Sequence, residues 1–172
     1  DGFMSPGGKK EIERLLKDLD VSKQKILDIG CGSGGISVSL VKDYGAQEVI
    51  GIDVEKDVVR AASDRVERSR LEKNVKILLV GKSNLPFQDN YFDVVFSKDS
   101  FVHIPDKEKI FSEVFKVLKP GGFFVFSDWL ISHDQKPSKE MEYYLKLEDL
   151  GFGMASPELY SKALKKSGFI LI

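Results

Sequence analysis

The stretch in which residue type and spacing most directly imply chemistry is Ile26-Leu27-Asp28-Ile29-Gly30-Cys31-Gly32-Ser33-Gly34-Gly35. An apolar, strand-like run enters a glycine-rich turn that opens a helix, and glycines at such a turn let the backbone touch a ligand. Gly30, Gly32 and Gly35 have the spacing of a dinucleotide-binding turn, so the glycines alone admit a nicotinamide dinucleotide or another adenosine-containing ligand. Asp28 shifts that balance. A carboxylate two residues ahead of the first glycine opposes a pyrophosphate at the helix N-terminus and suits a cationic aminoacyl group. A loop or helix cap is its bland alternative.

S-adenosylmethionine carries that combination of charges, an ammonium and a sulfonium. Further along, Asp53 follows Gly51-Ile52, at the end of a second strand. There a carboxylate can accept hydrogen bonds from both ribose hydroxyls of either cofactor class. Val54 next to it could offer an apolar face to adenine, or serve as ordinary packing.

The elements that would position these residues alternate from about residue 25 onward. Ile26 to Ile29, Glu48 to Ile52, Val75 to Val80, Phe92 to Ser97 and Gly122 to Ser127 read as short strands rich in Val, Ile and Phe. Ile36 to Tyr44, Lys56 to Leu71 and Lys107 to Leu118 carry apolar residues at three- and four-residue spacing and read as covering helices. Lys119-Pro120-Gly121-Gly122 reads as the turn from the third helix into the next strand. Ser156-Pro157-Glu158 starts a helix ending at Gly168, and Phe169 to Ile172 is expected to begin a sixth strand. This alternation predicts an α/β fold with a mostly parallel central sheet and helices on both faces. Residues 1–24 form a glycine-rich loop and a cap helix with an apolar stripe through Ile12, Leu15, Leu16 and Leu19. Residues 132–155, polar and then aromatic, read as a lid inserted over a pocket, and residues 1–172 as a single domain.

The composition bounds what this fold can do. With 172 residues and 26 Lys and Arg against 27 Asp and Glu, the chain offers no broad electrostatic grip on a phosphate backbone, which argues against nucleic acid as a partner. The single cysteine, Cys31, forms no internal disulfide and has no companions spaced for zinc, so a reducing compartment, the cytoplasm, is expected. No apolar run approaches the ~20 residues that span a bilayer, and no signal-peptide core is visible at the N-terminus. The chain begins at Asp1 without an initiator Met and stops inside what reads as a new strand, so it is expected to be a piece of a longer protein that lacks its last strands here.

Two further motifs follow in register: Leu85-Pro86-Phe87-Gln88-Asp89-Asn90-Tyr91-Phe92-Asp93-Val94-Val95 and Val117-Leu118-Lys119-Pro120-Gly121-Gly122. Together with Asp28 to Gly35 they resemble the class I S-adenosylmethionine-dependent methyltransferases over almost the whole chain. The resemblance implies a Rossmann-like methyltransferase fold. It implies Asp28, Gly30, Cys31, Gly32 and Gly34 around the methionine moiety, Asp53 on the ribose, Val54 near adenine, and Ser97 at the end of the fourth strand. Where many relatives carry an acidic residue for the adenine amino group, this chain has Gly81-Lys82-Ser83-Asn84, so the Lys82 backbone or the Ser83 hydroxyl would have to serve.

Gly2-Phe3-Met4-Ser5-Pro6-Gly7-Gly8 and Ser97-Lys98-Asp99-Ser100-Phe101-Val102-His103-Ile104 are similar to a narrower group, the phosphoethanolamine methyltransferases and other small-amine methyltransferases. That likeness implies His103 and Asp99 beside the transferring methyl, with Phe3, Met4, Ser5 and Lys98 in the substrate site. Methyl transfer to nitrogen needs a free lone pair, so an ammonium must first lose a proton; His103 could take it, with Asp99 acting through water. A structural hydrogen-bonding role is the alternative for a lone histidine after a strand. The departures from the group bear on the substrate. Phe3 replaces a tyrosine and loses its hydroxyl, Lys98 replaces a phosphate-binding arginine, Trp129 replaces a tyrosine, and Glu148 and Leu150 stand where arginine and tyrosine hold phosphate. A carboxylate there repels phosphate and attracts a cation. Phe3, Trp129 and Tyr143, with Glu148 or Asp128, would suit an amine held by cation–π contacts, although aromatic residues over a lid can equally be packing.

The leading expectation is therefore methyl transfer from S-adenosylmethionine to an amine nitrogen of a small molecule. Transfer to carbon, oxygen or sulfur, a nicotinamide-dependent oxidoreductase and a non-catalytic binding module remain alternatives, because fold alone does not exclude them.

Overall fold

The computed structural model describes residues 2–81, 84–132, 138–147 and 153–172. Five strands, β1 (Lys25–Ile29), β2 (Glu48–Asp53), β3 (Val75–Leu79), β4 (Phe92–Lys98) and β5 (Leu118–Ser127), form one sheet in the order β3-β2-β1-β4-β5. Every pairing is parallel. The helices are α1 (Gly8–Leu15), α2 (Gly35–Lys42), α3 (Lys56–Arg68), α4 (Lys107–Val117), α5 (Lys139–Leu147) and α6 (Pro157–Lys166).

Successive strand residues point to opposite faces, and both faces are covered, which is why the strands read as continuous apolar runs rather than alternating ones. Ile26 joins Ile12, Leu16, Leu40 and Val66 from α1 to α3 and the segment after α1. Its neighbour Leu27 joins Phe111, Val114 and Leu164 from α4 and α6. The two layers meet only through the sheet. From β1 the chain winds outward to β2 and β3, then returns past β1 to β4. The strand order therefore reverses between β1 and β4, and in an open parallel sheet ligands usually bind outside the C-terminal ends of the strands at such a reversal.

Two expectations about elements are corrected. Phe169 to Ile172 does not start a strand: Phe169 turns its ring onto Phe115 and Phe124, while Ile170 and Ile172 stay exposed. Ring capture by the α4 layer wins over the β-propensity of the tail. Lys119-Pro120-Gly121-Gly122 is not a turn outside the sheet. Leu118 already pairs with Phe92, and pairing resumes at Val94 with Phe123, so the four residues form a bulge inside β5. Proline is tolerated at such a break, and Gly121 supplies the left-handed φ of 77° that it requires. Among the described residues no helix is long and apolar enough to cross a membrane.

Candidate active site

The turn after β1 is built from three left-handed glycines, Gly30 (φ 69°), Gly32 (φ 54°) and Gly34 (φ 79°). Side chains are excluded there for a second reason. A Cβ on Gly30 would lie 2.0 Å from the Ser100 hydroxyl, and one on Gly32 would lie 2.9 Å from the Met4 sulfur. Four backbone donors of this turn are engaged within the protein: Gly30 and Cys31 both donate to the Ile52 carbonyl, Gly34 donates to Cys31, and Gly32 donates to Asp53 Oδ2 at 3.0 Å.

Beneath the turn stands an acceptor. Asp28 is fully buried; its Oδ2 accepts from Ser37 Oγ at 2.6 Å, and its Oδ1 has no hydrogen-bond partner among the described residues. Burial, with the Asp53 charge adding to it and Ser37 opposing, pushes the Asp28 carboxyl up to about 7. An unsatisfied buried carboxylate is costly, and such groups mark sites completed by a ligand. Asp53 Oδ1 accepts from the amides of Val54 and Glu55, which fixes the carboxylate at the C-terminal end of β2. Val54 is exposed beside it.

Cys31 contributes its backbone only. Its side chain is buried over Gly51, where an added Cβ would meet it at 3.0 Å, and burial pushes its thiol well above the reactive range. The Ser97 hydroxyl is buried and donates to the Ile29 carbonyl at 2.9 Å; it clamps β4 to β1 and is directed at the protein. Lys82 and Ser83, the residues expected near adenine, lie outside the described residues.

The substrate side is assembled from the N-terminal segment and the turn after β4. Gly2 accepts from Ser33 Oγ at 3.0 Å, Arg65 donates to the Ser33 carbonyl at 2.8 Å, and Ser5 Oγ meets Lys98 Nζ at 2.7 Å. Residues 2–5 are thereby strapped across the glycine turn. Phe3 packs against the α1 layer, and Met4 is exposed. Lys98 is buried and pairs with Asp99 Oδ2 at 2.6 Å, so its charge is compensated inside the protein. Asp99 takes a left-handed φ of 55°, a strained position that Asp tolerates better than most residues and that is common at functional turns. Ser100 Oγ bridges the carbonyls of Lys98 and Gly30, tying this turn to the glycine turn. A single 3₁₀ turn, Phe101–His103, follows. Phe101 and Val102 are buried and His103 is exposed, so the core holds the turn while the imidazole faces outward. Asp99 and His103 both follow the C-terminal end of β4.

Other expected substrate residues are less convergent. Trp129, just beyond β5, and Tyr143, on α5, are both exposed, while Glu148 and Leu150 lie outside the described residues. Asp128 is not open to a substrate amine: its oxygens accept from Tyr160 Oη, from the Trp129 amide and from the Val102 amide. Burial raises its pKa against the effect of those donors. Sequence reasoning missed Tyr160 and Lys107. Lys107 opens α4, where a lysine reads as a solvated surface residue, yet it is only 2% exposed. Its ammonium donates to Phe101 O and Gly153 O, each at 2.7 Å, and to Ile104 O; burial lowers its pKa, with the Asp128 charge opposing.

Residues 20–165 match a family model described as a methyltransferase domain. Phosphoethanolamine N-methyltransferase 1 of Zea mays is 34% identical over 98% of this chain and 33% of its own length, so the chain spans about a third of that relative. A Haemonchus contortus phosphoethanolamine N-methyltransferase 2, in complex with phosphomonomethylethanolamine and S-adenosylhomocysteine, superposes with a TM-score of 0.89 at 30% identity over 99% of this chain and 39% of the other. A Galdieria sulphuraria protein assigned as a sarcosine dimethylglycine methyltransferase superposes with a TM-score of 0.80 at 26% identity, over 93% of this chain and 59% of the other. The Asp28 oxygen that lacks a partner among the described residues and the Asp53 carboxylate beside the glycine turn fit S-adenosylmethionine. By its sheet, its glycine turn and these matches, the chain belongs to the class I S-adenosylmethionine-dependent methyltransferase family.

Proposed function

We propose that this chain moves a methyl group from S-adenosylmethionine to an amine nitrogen of a small molecule, outside the C-terminal ends of β1 and β4. The observation that carries the reading is the buried carboxylate beneath the glycine turn: one oxygen of Asp28 lacks a partner among the described residues, an arrangement that favours a cation over a phosphate.

When bound, S-adenosylmethionine supplies a methyl group activated by its sulfonium. Asp28 holds the aminoacyl ammonium, Asp53 accepts from the ribose hydroxyls, and Val54, Lys82 and Ser83 frame the adenine. Ser97 sets the β1–β4 spacing at that reversal. His103 removes the proton that blocks the acceptor nitrogen, and Asp99, fixed by Lys98, orders the water beside it. The strap of Phe3, Met4 and Ser5, with the lid around α5, excludes bulk water. Most of the rate comes from holding donor and acceptor in line.

The choice among amines turns on Lys98. Its ammonium is buried and already shared between Asp99 and Ser5, which favours an amine that needs no phosphate contact there, with Trp129 near its charge. A phosphoethanolamine-type acceptor is the second reading, favoured by the Zea mays and Haemonchus contortus relatives. Transfer of labelled methyl to a panel of sarcosine, dimethylglycine, ethanolamine, phosphoethanolamine and phosphomonomethylethanolamine separates them. Turnover of the unphosphorylated amines supports the first reading, turnover confined to the phosphorylated pair the second, and labelling of none of them counts against an amine acceptor.

A further inference from the structure

Lys107 is the buried charge that the reaction above leaves without a task, and its surroundings are specific. Its three protons meet three carbonyls: Phe101 and Ile104, which bracket the His103 turn, and Gly153, ahead of α6. An ammonium has three donors, so the set is filled with none left over. The same turn is held from its other side. Asp128 accepts from the Val102 amide and from Tyr160 Oη on α6, and the Tyr160 ring lies 5.4 Å from the Lys107 ammonium. Gly153 also donates its own amide to the Val102 carbonyl, and a Cβ there would meet Pro105 at 2.9 Å.

We propose that Lys107, acting with the Asp128–Tyr160 pair, is a positioning residue that fixes the His103 turn and couples it to Gly153, ahead of α6. The inference rests on His103 being the base of the proposed reaction, but the coupling itself does not require catalysis. A buried lysine at the first position of a helix is disfavoured both by desolvation and by the helix dipole. Three carbonyls gathered from the turn and from Gly153 supply the compensation.

The test uses the full chain and the ring resonances of its two histidines, His103 and His133, assigned by loss of one signal in His103→Ala. In Lys107→Met and in Tyr160→Phe the His103 ring signal is expected to move or to split. Affinity for S-adenosylhomocysteine stays within about threefold, and kcat on any acceptor that turns over falls about tenfold, as a misplaced catalytic group predicts. If both variants lose thermal stability while the His103 signal stays where it is in the wild type, Lys107 is merely structural and the proposal is overturned. Should Lys107→Met not fold, Tyr160→Phe and Asp128→Asn decide by the same criterion. Full methyl transfer by His103→Ala would remove the catalytic reading of His103 while leaving the coupling to be judged by the resonance alone.

Discussion

Asp28 and Gly32 carry the strongest expectations at the scale of single residues. The Asp28 carboxyl, raised from 3.8 to about 7 by burial, keeps its proton in the fold at pH values where the unfolded chain has lost it. Its contribution to the unliganded fold is therefore complete below about pH 4 and declines as pH rises toward 7, by roughly 4 kcal/mol in all. Asp28→Asn removes this dependence: the unliganded variant is expected to melt higher than the wild type at pH 8 and to bind S-adenosylhomocysteine about a hundredfold more weakly, the cost of deleting one partner of a buried charge contact. Wild-type affinity should rise from pH 5 to pH 7 and then level off. Melting curves and ligand titrations across pH check both statements. Gly32→Ala forces a Cβ into a left-handed turn and against Met4, which should cost about 1–2 kcal/mol and weaken the cofactor more than it weakens the fold. Sequence alone marked Asp28 through its spacing from the glycines. That its second oxygen lacks a partner depended on Ser37, one turn into a helix whose register no motif specifies.

The motifs sort by which end of the sheet they serve. The glycine turn, Asp53 and the Lys98–Asp99 pair all stand at the C-terminal ends of β1, β2 and β4. Asp93, part of a motif as clear as the first, sits at the start of β4, where it accepts from the Lys25 amide at 2.9 Å and from Lys119 at 2.6 Å. It is a staple at the opposite end, so Asp93→Ala is expected to lower stability by about 1–3 kcal/mol with S-adenosylhomocysteine affinity unchanged; a large loss of affinity would break this division of labour. Strand and helix identities were legible because apolar runs bounded by glycine and by caps such as Ser156 leave little choice. The bulge in β5 and the coil at Phe169 to Ile172 were not, because the first depends on register against β4 and the second on aromatic rings brought together from α4 and β5. Lys107 was invisible for a related reason: a lysine beside Asp106 and Glu108 looks solvated until the fold closes three carbonyls over it.

For the molecule as a whole, two layers pack on one parallel sheet, and the N-terminal strap is bonded to the glycine turn and to Lys98 at the β1–β4 reversal. Removing residues 1–7 deletes the bonds from Ser33 to Gly2 and from Lys98 to Ser5 but spares Ile12 and Leu16 in the α1 layer. The shortened chain should fold with little change in melting temperature while releasing S-adenosylhomocysteine at least several-fold faster, which stopped-flow displacement would measure. The substrate side was the least legible level: Phe3 packs against the α1 layer, Trp129 and Tyr143 are exposed, and Glu148 lies outside the described residues. The central claim is tested most directly by calorimetric titration of the wild-type chain with S-adenosylhomocysteine and, separately, with NAD. A buried carboxylate that awaits a cation beneath the glycine turn predicts binding of S-adenosylhomocysteine, lost in Asp28→Ala, and no heat from NAD. Binding of NAD with no response to S-adenosylhomocysteine would contradict the account.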